Sequence, residues 1–405
     1  MNPKIEGINQ ENVKQSNRST ILKLLSSNGA ISRKDIADHI GLTPAAVTLI
    51  CSELIEEGIL IEKGEMTQEK RAGRKKILVD INYSYKRVLC ICIEIDETYI
   101  TITDMAGKIF AQTVIPTNVD MKPEEFLKVV AMESKDLLWS KGVSKDTMLA
   151  AGVSVPGTVD RVRGISIRSY RVWNQQVDVK RILEEYLGFD VVVENNVNAY
   201  AEGELIYGIG KTTRNLVIVK WGPGVGSAFT INHSVYQGRD FKGAEIGHFI
   251  IEKSNVECRC GRKGCLETAI STHAIVDAVK ELMIVNDMPL LTEWLDNPEH
   301  TLSVHNIREW GRLKDPNLQM IFDEKMDLLA RTVENVINML NPDHVVVYGK
   351  IFEVEGLVDR FIRRCMEYDA EISEDYILHS KLSDKISYIG SLAVVMNEYF
   401  FWNTK

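Results

Sequence analysis

A chain of 405 residues, 45% hydrophobic and 26% charged, is too long for one ordinary domain and long enough to bury two or three cores. The polar start MNPKIEGINQENVKQSNRS lacks the apolar core of a signal peptide. No apolar run approaches the roughly 18 residues that span a bilayer, so the expected location is cytoplasmic, with no membrane partner. The net charge of −9 argues against a chain coated in nucleic acid, but residues 1–80 carry 12 Lys and Arg against 11 Asp and Glu, and the remainder 36 against 46. A nucleic-acid role therefore belongs to the first 80 residues.

The stretch RSTILKLLSSNGAISRKDIADHIGLTPAAVTLICSELIEEGILIEKGE predicts three helices and a turn into a strand. Ile21, Leu24 and Leu25 lie at helical spacing, and Asn28-Gly29 ends the first helix. Ser32 is placed to cap a second helix, Gly41 supplies the positive φ of a tight turn, and Thr43 caps a third helix with Pro44 at its first position. Ala37, Gly41 and Val47 have helix-turn-helix spacing. The third helix is expected to bury Val47, Ile50 and Leu54 and to turn Ala45, Ala46, Thr48, Leu49 and Ser52 outward. Small and hydroxylated side chains near a helix start suit entry into a major groove. Two strands, ILIEKG and KKILVDI, would follow as a wing. Its tip, EMTQEKRAGRKK, gathers Lys70, Arg71, Arg74, Lys75 and Lys76 around Gly73, which suits backbone or minor-groove contact. The expected DNA contacts are Thr43, Ala45, Ala46, Thr48, Ser52, Arg71, Arg74 and Lys75.

From about residue 82 strands and helices alternate. RVLCICIEI, YITITDM and KIFAQTVI predict a strand and a hairpin at Ala106-Gly107, followed by a helix over PEEFLKVVAMESKDLLWSKG and a buried strand MLAAGVSVPG. A second round opens with NLVIVKW, a turn GPGVGS and AFTIN, and closes with a long helix, the strand HVVVYG and a helix over SLAVVMNEYFF. Two sheets backed by helices predict two α/β lobes with a cleft for a small ligand.

Seven cysteines are an odd number in a large chain without an export signal, and three of them crowd into ECRCGRKGCLE. A disulfide framework is therefore not expected, and a local metal site is. Cys258, Cys260 and Cys265 bring three thiolates to one tetrahedral centre. Zinc needs a fourth ligand, and His248 lies ten residues upstream in GAEIGHFIIEK. The expectation is one structural Zn2+ per chain.

GAEIGH followed by CRCGRKGCLE, together with VVVENNVNAYAEGE, WGPGVGSAF and NPDHVVVYG in that order, resembles the ROK family, which unites sugar kinases with sugar-responsive transcription repressors. The winged helix at the front resembles the repressor branch, especially xylose-repressor-type regulators. The resemblance implies an actin-like, two-lobed α/β fold of the sugar-kinase type and a homodimer or homotetramer. The implied domains are 1–81 for the winged helix-turn-helix and 82–405 for the sugar-binding part. The first lobe would span about 82–196 with the C-terminal helix 390–405, and the second about 197–389. It implies sugar contacts by Asn195, Asn196, Glu245, His248 and Glu267, with Ser169 standing where family kinases tend to have Asn, four residues before Trp173. His248 would hold zinc on one ring nitrogen and face the sugar with the other.

Three departures from the kinases imply that phosphorylation is lost. Asn196 stands where their catalytic Asp takes a proton from the sugar, which an amide cannot do near neutral pH. In EIDET, Asp96 and Glu97 replace the glycines that cradle phosphates, and each repulsion at 4 Å costs about 1 kcal/mol in water and about 4 kcal/mol nearer protein. Pro223 and Lys350 also depart from the kinase pattern. The reading is a sugar-responsive repressor that binds operator DNA and a sugar effector, such as xylose or a related aldose, without catalytic residues of its own. The alternative is an ATP-dependent sugar kinase with an accessory DNA-binding domain.

Overall fold

The structure, a computed structural model, describes residues 10–66, 76–169, 171–251, 255–285 and 288–401. The chain divides into two compact units. One holds the described residues up to Ile206 together with those from Ser387 onward; the other runs from Tyr207 to Ile386.

The first unit opens with helix α1 (Gln10–Asn28), the short strand β1 (Ile31–Ser32), α2 (Arg33–Ile40) and α3 (Pro44–Glu56). Helix α1 begins two turns earlier than its apolar spacing suggests, and it buries Ile21, Leu22 and Leu25 while Leu24 is only half-buried. Ser32 caps α2 by accepting from the Asp35 N–H at 3.2 Å, and Thr43 caps α3 by accepting from the Ala46 N–H at 3.3 Å. Between them Gly41 turns at φ +69°, a left-handed conformation that a Cβ penalises. Strands β2 (Leu60–Met66) and β3 (Lys76–Ile81) pair antiparallel, Leu60 opposite Ile81, and β1 joins the far edge of β3. The wing tip with Lys70, Arg71, Arg74 and Lys75 lies outside the described residues.

The larger sheet of this unit has the order β10–β7–β4–β5–β6, with β4 (Arg87–Ile93), β5 (Glu97–Asp104), β6 (Ile109–Pro116), β7 (Met148–Val155) and β10 (Val191–Asn195). Strand β4 runs antiparallel to β5 and parallel to β7, which pairs parallel with β10. The central strands are apolar on both faces, as a sheet covered twice requires. Helices α4 (Pro123–Ser140) and α5 (Val179–Leu187) supply Phe126, Leu127, Val130, Ile182 and Leu183 to one core. The C-terminal helix Ile389–Val395 packs against β7, β4 and β10, with the Ser391 hydroxyl donating to the Ile91 carbonyl at 3.0 Å. It continues into a wider π-helical segment, Met396–Phe401, on which α1 packs.

A hairpin of β8 (Thr158–Asp160) and β9 (Ile165–Arg168) carries Arg161 at its turn. The guanidinium donates to Glu194 Oε2 at the end of β10 at 3.2 Å and to Glu202 on α6 (Asn196–Tyr207), and lies 3.7 Å from Glu398 in the π-helical segment. Glu194 and Glu202 are 0% and 3% exposed. Burial disfavours the charged guanidinium, but Glu202 and Glu194 outweigh it and raise its pKa. Asn397 donates to Glu202 Oε2 at 3.3 Å. One cation thus joins β10, α6 and the seat of α1.

The second unit carries a sheet of order β13–β12–β11–β14–β15, with β11 (Leu216–Trp221), β12 (Val225–Ile231), β13 (Ser234–Val235), β14 (His344–Tyr348) and β15 (Ile377–His379). Asn232 and His233 both adopt positive φ in the tight turn before β13, the geometry of a two-residue hairpin loop. The core gathers Trp221, Trp310, Phe322, Phe352 and Phe361 beneath the helix Pro316–Leu340, which Asp315 caps. Among the described residues no helix is long and apolar enough to cross a membrane.

Removing one partner of a buried ion pair leaves an uncompensated charge and costs about 3–5 kcal/mol. Arg161→Met is therefore expected to lower the stability of the first unit by that order in urea denaturation, whereas Glu398→Gln, at a half-exposed position, should cost less than about 1 kcal/mol.

Candidate functional sites

The three cysteines and His248 come together in the second unit. Their ligand atoms all lie within 4.8 Å of one another. His248 ends a short turn, Ile246–His248, and Cys265 precedes the short helix Leu266–Ile270. The intervening loop folds back on itself: the Cys258 N–H donates to the Arg262 carbonyl at 2.7 Å and the Gly261 N–H to the Cys258 carbonyl at 2.8 Å. Cys260 Sγ and Cys265 Sγ are 3.6 Å apart, and Cys258 Sγ is 3.6 Å from His248 Nδ1. Those separations are far too long for a disulfide and match the edge of a tetrahedron with metal–sulfur bonds of about 2.3 Å. Burial pushes the Cys258 thiol up to about 12. Burial also opposes the Cys260 thiolate, but the Arg262 Nε–H, donating to its sulfur at 3.4 Å, brings that thiol down. Burial and Arg262 lower His248, which favours the neutral ring a metal ligand requires. A divalent cation would resolve the repulsion among three crowded thiolates, and the donor set could hold one.

Beside this cluster stand Glu245 and Glu267. His248 Nε2 is 4.0 Å from Glu245 Oε2, so Nδ1 faces the sulfurs and Nε2 faces the carboxylate. Burial and the nearby Glu267 raise the Glu245 carboxyl, partly offset by Arg262 and Lys242. Glu267 Oε2 accepts from the Val225 N–H at 3.1 Å at the start of β12. A Cβ on Gly247 would lie 2.0 Å from the Val225 carbonyl oxygen, so the GAEIGH turn can back onto β12 only with glycine there. Ser227 holds the same turn, donating to the Ala244 carbonyl and accepting from the Ile246 N–H.

The remaining expected sugar contacts lie in the first unit, around the end of β10. Asn195 is engaged by the chain itself: its Oδ1 accepts from the Val197 and Asn198 N–H groups at 2.8 and 3.0 Å, and its Nδ2 donates to the Gly157 carbonyl at 2.6 Å. It caps α6 and shapes the loop. Asn196 Nδ2 donates to Glu94 Oε1 at 2.9 Å. Glu94 stands at the end of β4 beside the exposed Asp96 and Glu97. Ser169 is fully buried, its hydroxyl without a hydrogen-bond partner among the described residues. Its backbone bridges to Trp173, whose indole N–H donates to Ser166 Oγ at 2.9 Å. Sequence reading missed Glu94, Gly157 and Arg161 as parts of this region; Glu94 and Gly157 lay in quoted stretches, but nothing local identified their partners Asn196 and Asn195.

On α3, Ala45, Thr48 and Leu49 are exposed with Thr43 and Pro44, Ala46 and Ser52 are half-buried, and Val47, Ile50, Cys51 and Leu54 are buried. The outward face is the expected one. Glu53 and Glu57 at its far end pair with Lys14 and Arg18 of α1, which draws their charge away from a phosphate backbone.

Residues 16–61 match the winged helix-turn-helix DNA-binding family, and residues 89–398 match the ROK family. The chain is 26% identical over 391 residues to a putative xylose repressor of Caldicellulosiruptor sp. (strain Rt8B.4), covering 95% of this chain and 96% of that one. It is 23% identical to the xylose repressor of Bacillus subtilis (strain 168), covering 96% of each. It is also 25% identical to the DNA-binding transcriptional dual regulator NagC of Escherichia coli (strain K12), covering 89% of this chain and 87% of that one. Among solved structures, a ROK family transcriptional regulator, a homologue of the E. coli MLC protein, superposes with a TM-score of 0.80 at 22% identity over 96% of this chain and 98% of that one. A ROK family glucokinase from Streptomyces griseus, in complex with glucose and AMPPNP, gives 0.66 at 22% identity over 76% and 98%. The kinase covers about three quarters of this chain, whereas the xylose repressors and the solved regulator match nearly end to end. With a winged helix-turn-helix before a match that spans residues 89–398, the chain belongs to the ROK family.

Proposed function

We propose that the chain is a sugar-responsive transcriptional repressor that binds an aldose without phosphorylating it. The observation that carries this reading is the 2.9 Å hydrogen bond from Asn196 Nδ2 to Glu94 Oε1. A kinase needs a carboxylate at position 196 to take the proton of the attacking hydroxyl; here the position holds an amide, and the neighbouring carboxylate requires a donor there. An Asp at 196 would face Glu94 as a like charge, which disfavours holding both carboxylates ionised and breaks the hydrogen bond now made there. Asp96 and Glu97 add negative charge where the chain turns from β4 into β5.

Sugar recognition is assigned to Asn196, Ser169, Glu245, Glu267 and the Nε2 side of His248, with Asn195 shaping the loop. Carboxylates, an amide and a hydroxyl are the groups that pair with vicinal hydroxyls, and a buried polar atom left unpaired discriminates against ligands that cannot satisfy it. The Ser169 hydroxyl, without a partner among the described residues, is such an atom. The names of the relatives make xylose the first sugar to test.

Zinc is the ion proposed for His248 Nδ1, Cys258, Cys260 and Cys265, since three thiolates and one imidazole form a closed tetrahedral set. Bound there, it would supply the positive charge that keeps the thiolates together and fixes the wall bearing Glu245 and Glu267. DNA binding is assigned to the outward face of α3 and to the wing residues Arg71, Arg74 and Lys75, in an assembly of at least two chains on a palindromic operator.

In a coupled ATP assay over an aldose panel, wild type and Asn196→Asp should both show no turnover above background; clear turnover by the wild type would restore the kinase reading. Elemental analysis should find one zinc per chain, and Cys260→Ser should lose the metal and lower the melting temperature; a metal-free protein with full sugar response would contradict the zinc assignment. A recognised sugar at 100 times its Kd should stabilise the wild type by about 2.7 kcal/mol, and Glu245→Gln should remove that thermal shift. No shift with any aldose would point to a protein effector instead.

A further inference from the structure

The proposed repressor reading leaves open what α3 detects in a major groove. Between Thr43 and Ser52 this helix has no Arg, Lys, Asn, Gln, Asp or Glu, the side chains that make most polar contacts to base edges. Of the carboxylates at its far end, Glu53 and Glu57 are paired with α1, and Glu56 lies on the last turn, two turns beyond Leu49. The Thr48 hydroxyl donates to the Pro44 carbonyl at 2.7 Å, spending its one proton on its own helix, and the Thr43 oxygen caps the Ala46 N–H. In the middle of this face stands Leu49, 62% exposed, while the other large apolar side chains of α3 up to Leu54 are buried.

A single exposed leucine needs no special explanation on an ordinary surface. On the face of a DNA-reading helix it occupies space that a polar reader would otherwise fill. Ala45 and Leu49 are four residues apart, so they lie on one side of the helix about 6 Å apart along its axis. That length spans about two base steps of 3.4 Å. Ala45 adds no bulk to hold the helix away from the bases. The one apolar landmark on base edges in the major groove is the 5-methyl group of thymine.

We propose that α3 reads thymine methyl groups, with Leu49 as the residue that sets site preference and Ala45 as the small neighbour that lets the helix approach. The recognised ligand is duplex DNA with T·A pairs at one or two positions within about two base steps in each half-site. This inference rests on the repressor reading, since it requires that α3 enter DNA at all.

The test uses the full-length protein and duplexes selected with it from a random library. Each thymine of the selected half-site is replaced in turn by deoxyuridine, which removes only the methyl group and keeps base pairing. At one or two positions affinity should fall about fourfold, the effect of unburying one methyl-sized group. Leu49→Ala should bind the methylated and demethylated duplexes equally, with an unchanged melting temperature, and Leu49→Met should keep the preference. Tolerance of deoxyuridine at every position, or a preference that survives in Leu49→Ala, overturns the inference while leaving DNA binding intact. Selection of no duplex at all would overturn the repressor reading and this inference with it.

Discussion

Arg161 sits with two almost wholly buried carboxylates, Glu194 and Glu202, and reaches toward a third, Glu398. Buried carboxylates without a cation would be costly, and a buried guanidinium without carboxylates equally so, so the elements that carry them must arrive together. Those elements are the β8–β9 turn, the end of β10, helix α6 and the C-terminal segment. The cluster therefore fixes the chain on both sides of Asn195 and Asn196. It also fixes the segment on which the first helix of the DNA-reading domain packs. A ligand that pulls on the Asn195–Asn196 loop works against the same ions that hold the seat of α1. It can shift the protein between states only by the difference in its affinity for them.

The second unit solves an analogous problem with sulfur. Three thiols and an imaginary apolar filler could not hold the loop 255–265 in this form, because that loop has few apolar residues and a short hydrogen-bonded turn. A metal ion held by the four converging ligand atoms would. Their consequence for chemistry lies one step away, at Glu245 and Glu267, which the turn through Gly247 and Ser227 keeps against β12. The polar groups proposed to meet sugar thus rest on supports in each unit, an ion cluster in one and a candidate metal cluster in the other. Preorganisation of this kind suits a binding protein, since it lowers the ordering cost at each ligand contact.

Much of this was legible in the residues. Capping signals at Ser32 and Thr43 and the turn glycine at 41 define the DNA-reading domain locally, and so they could be read one turn at a time. Cys258, Cys260 and Cys265 are close in sequence, and His248 is near enough to be found by chemistry. The hidden parts are those whose partners are remote. Glu94 and Asn196 lie 102 residues apart, and Arg161 finds Glu194 and Glu202 33 and 41 residues away. Asn195 also caps α6 and donates one amide N–H to the Gly157 carbonyl, a role visible only once the loop is closed. Strands β1 and β15, two and three residues long, are too short to show any alternation. In α1 the choice of Leu22 over Leu24 for burial is made by packing, which periodicity in an isolated helix cannot specify.

The proposed repressor joins a sugar site with an amide at position 196 to a winged helix-turn-helix through the Arg161 cluster, and the central claim is that sugar and DNA binding are coupled. The direct measurement is the affinity of the full-length protein for a selected operator, by fluorescence anisotropy, titrated with aldoses in the presence of Mg-ATP and followed by recovery of the sugar. The account expects at least one aldose to change operator affinity several-fold and to be recovered chemically unaltered. Operator binding that no aldose affects, or a sugar recovered as its phosphate, would contradict it.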